Sequence, residues 1–196
     1  MKFEDLIKKM VLLEMPLAID KIDFSLDQNK IKDDKYKMYI LLGTFDIKDK
    51  KFSVYIHKQS MKHQTKWYNI NLGNKTLATY AGKEVKDGIR TDTVESVGKD
   101  YNIKGLMFNF YIGFLFKKYS FVISDDALTG DGFKFWYNNF DRFIQLGYKM
   151  SVVYYEYKNE IIEVVKQLSN KDEMHEYYGK ILANPSAGKH RYMVSK

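Results

Sequence analysis

Three polar side chains stand where an apolar strand stops. Phe121-Val122-Ile123 suits a central strand, and it ends at Ser124-Asp125-Asp126. Ligands of open α/β sheets bind just past such strand ends, and a hydroxyl beside carboxylates there can orient an amine or a hydroxyl. Ser and Asp more commonly bond the backbone N–H groups of the strand-to-helix turn itself. Trp136, in the next element, likewise reads as a packing residue of core or lid before it reads as a platform for a ligand.

Other chemistries find little support. His57, His63, His175 and His190 are scattered, and His57 and His63, six apart across a turn, have no third residue at metal-ligand spacing. No metal site is expected. The sequence has no cysteine, which excludes disulfides, zinc–thiolate centres and a cysteine nucleophile, and fits a reducing compartment. Serine nucleophile elbows, Walker loops and dinucleotide fingerprints are absent, and Gly130-Asp131-Gly132 is too short a glycine signal to count.

Charge suggests a different kind of partner. The net charge of +7 is uneven: Lys30 to Lys66 holds ten Lys against four Asp. Such a face can meet phosphates or an acidic protein, and it also serves plainly as a solvated, solubilising surface. With three arginines in the chain (Arg90, Arg142, Arg191), bidentate recognition of guanine is scarcely available. Sequence-specific reading of DNA is not expected; the solvated surface is the favoured reading, and non-specific nucleic-acid binding through the Lys30–Lys66 face is kept as an alternative to it.

The positioning elements follow from periodicity. Ile103, Leu106, Met107, Phe110, Tyr111, Phe114 and Leu115 carry the spacing of a helix face, and Phe108, Ile112 and Phe116 make the other face apolar, so this helix is expected to be covered on both sides. Phe3–Met15 reads as an amphipathic helix ended near Pro16, and 20–35 as mostly loop. Strands are expected at Tyr36–Ile47, Phe52–Lys58, Trp67–Leu72 and Lys75–Tyr80, with Lys48-Asp49-Lys50-Lys51 as a hairpin turn. The Gly-rich, charged stretch Gly82–Arg90 reads as a loop and Thr91–Val97 as a strand. Thr129–Leu146 is a second helix with Thr129 as N-cap, Asp131 in its first turn and Gly147 as its stop. Tyr148–Tyr157 is a strand, Glu160–Leu168 is ambiguous, Asp172–Leu182 is helical, and Lys189–Val194 closes as a last strand. A chain of 196 residues, 45% hydrophobic and 16% aromatic, fits one domain with a real core. Lys and Glu interrupt the apolar residues of Met1–Met15, so no signal peptide is expected there. No uncharged apolar run reaches about 18 residues, and the chain reads as soluble.

This order of elements, with a strand ending near Val97 feeding an apolar helix, resembles the GNAT-type N-acyltransferase fold. In that family a Gln/Arg-x-x-Gly-x-Gly/Ala loop at the helix start cradles the pyrophosphate of acyl-CoA on bare backbone N–H groups, a use of the helix N-terminus as an anion site. Asn102-Ile103-Lys104-Gly105-Leu106-Met107 is the matching segment here. Gly105 falls on the first glycine, Asn102 replaces Gln/Arg, and Met107 stands where Gly or Ala is needed, obstructing the pyrophosphate, although Lys104 can attract it. Phe121-Val122-Ile123-Ser124-Asp125, then Leu128-Thr129, Gly132 and Trp136, with Gly105 and Tyr111 in the preceding helix, is similar to a pattern in phage-encoded GNAT-like proteins. The likeness covers roughly 95–157; the first hundred residues match no pattern of the family.

The resemblance implies a single α+β domain over 1–196, with a mixed, mostly antiparallel sheet and a buried central helix: N-terminal helix and strands to 98, the better-matched core at 95–157, and a C-terminal helix and strand after 158. It also implies, if the chain is an enzyme, acetyl-CoA at Asn102, Lys104 and Gly105, with Glu95 as the base for the amine and Tyr154 (or Tyr155) as the acid for the thiolate. Because Met107 breaks the cradle, the expectation favoured is a phage protein without bound cofactor, cytoplasmic in the host or virion-associated. It would act by contact with a phage or host protein, for which Ser124, Asp125 and Trp136 are candidate contact residues, and it would not enter membranes.

Overall fold

The computed structural model describes residues 38–96, 103–125, 130–183 and 189–196. The helix expected at Phe3–Met15, Asn102, Asp126 and the cap Thr129 lie outside the described residues. The chain is mixed α+β: nine strands and three helices among the described residues. They group into two compact units, one of 38–79 with 95–114, the other of 80–94 with 115–196.

In the first unit, β1 (Tyr39–Ile47), β2 (Lys50–His57) and β3 (Thr65–Leu72) form an antiparallel meander, followed in strand order by β4 (Lys75–Val85), which continues into the second unit. The turn between β1 and β2 is two residues long, with Lys48 in the left-handed region at φ 56°. Alternation divides the meander into two faces. Phe45, Phe52, Val54, Ile56, Tyr68 and Ile70 are buried on one, and Phe45 stacks on its cross-strand partner Phe52 at 5.4 Å. Onto this face packs helix α1, built of Leu106–Phe110, a wider π turn over Tyr111–Leu115 and a last turn at Phe116–Lys118. Tyr68 meets Phe110 at 6.0 Å and Phe114 at 5.2 Å, and those two rings stack on each other at 5.3 Å. Every residue from Leu106 to Phe116 is buried.

In the second unit the strand order is β4-β5-β6-β9-β7-β8, where β5 is Gly88–Ser96, β6 Phe121–Ile123, β7 Lys149–Glu156, β8 Ile161–Gln167 and β9 His190–Ser195. The stretch Gly82–Arg90, expected as a loop, is instead a tight hairpin. β4 runs to Val85, Lys86 turns at φ 47°, and β5 starts at Gly88. β5 and β6 are parallel, joined through α1, while β9 runs antiparallel to both β6 and β7. Glu160–Leu168 resolves as the strand β8, antiparallel to β7.

Helices α2 (Gly130–Gln145) and α3 (Lys171–Ala183) pack on the face of this sheet that bears Tyr192. Phe133 of α2 stacks on Tyr178 of α3 at 3.9 Å and lies 6.2 Å from the Tyr192 ring. The opposite face carries a cluster of Val85, Ile123, Val153, Tyr155 and Met193, with Phe121 and Ile162 packed against it.

Fully buried Tyr192 donates its hydroxyl to the Met174 carbonyl at 2.8 Å. Burial first, and the neighbouring Tyr178 second, push its phenol well above the ordinary tyrosine range. A raised folded pKa means that this contribution to stability is complete below about pH 10 and is lost as the pH climbs past the unfolded value. Tyr192→Phe is expected to cost about 1 kcal/mol at neutral pH and to flatten the loss of stability in alkali. Denaturant midpoints measured from about pH 8 to 11 check this; parallel curves for the two proteins would refute it.

Candidate functional site

The end of the parallel pair is the place to build from. Gly88, Ile89 and Arg90 pair with Phe121, Val122 and Ile123, and there the two strands part. β5 runs on to Ser96. The chain after Ile123 stays with β9 instead: Ser124 N–H donates to the Tyr192 carbonyl at 2.8 Å, and the Ser124 hydroxyl accepts the Tyr192 N–H at 3.1 Å. Ser124 is 1% exposed, so its polar atoms extend a ladder. Asp125, half-buried, is the last residue described before α2.

At the parting point sits a group that alternation did not flag. Arg90 is buried, its guanidinium paired with the Asp92 carboxylate and lying over the rings of Tyr155 (5.7 Å) and Tyr157 (4.8 Å). Lys83 lies over Tyr157 at 4.5 Å and meets Glu160 at 3.4 Å. A planar guanidinium suits such stacking between aromatic faces. The pairs neutralise one another, and the arrangement ties β4, β5 and the end of β7 together. The available signal was compositional: Arg90 is one of three arginines in a chain that otherwise uses lysine.

The remaining candidates fall in different settings. Glu95 is exposed near the end of β5, in the first unit. Tyr154, in the second unit, is half-buried on β7, and its hydroxyl accepts from Lys189 Nζ at 3.0 Å. Lys189 also donates to Glu156 at 2.8 Å. Its hydrogen bonds to Glu156 and then Tyr154 hold the Lys189 ammonium above the usual lysine range, while those from Lys189 and Asn159 hold Glu156 below the usual carboxylate range. Tyr154 therefore belongs to a solvent-facing polar link between β7 and the start of β9. Trp136 is buried in α2, with its ring 5.4 Å from Phe135 and 6.1 Å from Phe143.

At the start of α1, Lys104 is exposed and Gly105 holds the left-handed conformation at φ 74°. The Gly105 carbonyl accepts both the backbone N–H and the side-chain amide of Asn109, each at 2.9 Å. Gly105, the N-cap, has no side chain with which to cap the helix and no carboxylate stands in its first turn, but Leu106, Met107, Phe108, Asn109 and Phe110 are all buried, Met107 at 8% exposure. The first turn is packed protein.

No group of three His, Asp or Glu among the described residues is arranged to hold a metal ion, and no described helix is long and apolar enough to cross a membrane. The Lys30–Lys66 face loses one member: Lys66 is buried, with its ammonium donating to the carbonyls of Ser60 (3.3 Å), Met61 (3.2 Å) and His63 (2.7 Å). Compared with known proteins, the chain matches no family model, and neither the curated proteins nor the solved structures give a significant match.

Proposed function

We propose that this chain is a non-catalytic binding or structural protein on a GNAT-like scaffold, encoded by a phage and acting by contact with a phage or host protein. The scaffold reading is supported by a mostly antiparallel sheet with one parallel pair, β5 and β6, connected through an apolar helix. The observation that carries the functional reading is the packed first turn of α1, with Met107 buried where an acyl-CoA pyrophosphate needs open amides. Contact with a protein is supported by β8, whose Val164 and Val165 stand 61% and 46% exposed beside a bulge at the sheet's edge.

Under the competing N-acetyltransferase reading, acetyl-CoA stabilises the native state in proportion to its occupancy. A thermal-shift titration to millimolar acetyl-CoA is expected to leave the melting temperature unchanged. A rise of several degrees would overturn the non-catalytic reading and restore Glu95 and Tyr154 as base and acid to be tested.

A further inference from the structure

We propose that the outward face of β1–β3 is a stacking platform for single-stranded nucleic acid, centred on Trp67. The meander packs α1 through Tyr68, so the alternate residues of β2 and β3 point the other way. On that face Lys51, Ser53, Tyr55 and His57 succeed one another along β2, and Trp67 and Asn69 along β3, where the face closes at buried Asn71. Trp67 is 59% exposed, whereas the other tryptophan, Trp136, is 3% exposed. Tyr39 stands edge-on to His57 at 5.0 Å and fixes that ring at the margin of the face.

Charge identifies the occupant. Apart from the buried Lys66, residues 38–79 carry six Lys against two Asp, with no Arg and no Glu. On the platform itself exposed Lys51 stands across from Asp46 of β1, and the excess of positive charge comes from Lys58 and Lys62, exposed where β2 turns toward β3. A polyanion is therefore attracted to a surface that offers aromatic faces. An open strand can lay its bases on those faces, whereas a duplex keeps its bases stacked inside and presents only phosphate. With no arginine in the meander, recognition is of backbone and base planes, without sequence reading. The inference is independent of the cofactor question, since α1 packs on the opposite face of these strands.

The test is fluorescence anisotropy with the full chain at about 50 mM salt, using a labelled oligothymidylate of roughly 20 nucleotides, the matching duplex and polyglutamate. Expected results are tighter binding of the single strand than of the duplex and quenching of tryptophan emission. Trp67→Ala should weaken single-strand binding about tenfold and leave duplex binding unchanged, while Trp67→Phe retains most of the affinity. An exposed side chain can be removed without unfolding the chain, which circular dichroism of both variants verifies. No single-strand binding at low salt, equal affinity for polyglutamate, or indifference of single-strand binding to Trp67→Ala would each overturn the proposal.

Discussion

Lys66→Met is expected to destabilise the protein by about 2–4 kcal/mol, and so to lower its melting temperature by roughly 5–15 °C. Lys66 is 7% exposed, and its ammonium donates to three carbonyls of the turn that follows β2. That turn is a short 3-10 segment, Lys58–Lys62, in which the buried Ser60 hydroxyl donates to the His57 carbonyl at 2.7 Å and accepts the Trp67 N–H at 3.3 Å. Charge-assisted hydrogen bonds are the strong ones, and removing the donor leaves acceptors behind a core residue without their partner. Methionine keeps the aliphatic length and loses only the charge, so the measurement isolates the ammonium. A change below about 1 kcal/mol in chemical denaturation would contradict this role. The same variant should bind oligothymidylate as the parent does, since a buried lysine contributes no contact to the platform.

Gly88→Ala is expected to cost about 2–3 kcal/mol, as overpacking of a close contact does. A Cβ at Gly88 would stand 2.1 Å from the Phe121 ring, closer than any non-bonded approach, so the ring must leave its place. Gly88 and Phe121 are partners across the parallel pair, and Phe121 packs on the cluster of Val85, Ile123, Val153, Tyr155 and Met193. In a Phe121→Ala background the obstruction is gone, and Gly88→Ala should then cost under about 1 kcal/mol, a coupling that a double-mutant cycle reads directly. Equal costs in both backgrounds would mean that the glycine is needed for something other than room for this ring.

These two positions also mark where side-chain pattern stops being informative. Alternation at Phe52, Val54 and Ile56 made β2 legible, and the helical spacing from Ile103 to Leu115 made α1 legible. The hairpin from β4 to β5 was not, because Gly82, Lys83, Glu84 and Gly88 carry the composition of a loop. Their true reason is tertiary: Gly88 makes room for a residue more than thirty positions away. In Lys66-Trp67 polarity misleads outright. The lysine is inside and the tryptophan outside, since Tyr68 and Ile70 fix which face of β3 meets the core and Lys66 falls on their side. The π turn at Tyr111–Leu115 left no mark in a segment that is apolar all round.

At the candidate site, Ser124 showed its two uses in the sequence, and the geometry assigns its hydroxyl to Tyr192. Arg90 escaped notice because the segment holding it read as loop. The bulk of Met107 at the start of an apolar helix, by contrast, was legible at once, and its weight depended on how the start of α1 packs.

The central claim is tested most directly at the amides themselves. In a nitrogen–proton correlation spectrum of the labelled protein, titration with coenzyme A to millimolar concentration is expected to leave the resonances of Lys104, Gly105, Leu106, Met107 and Phe108 in place. Saturable shifts at these residues would place a pyrophosphate on the first turn of α1 and contradict the account.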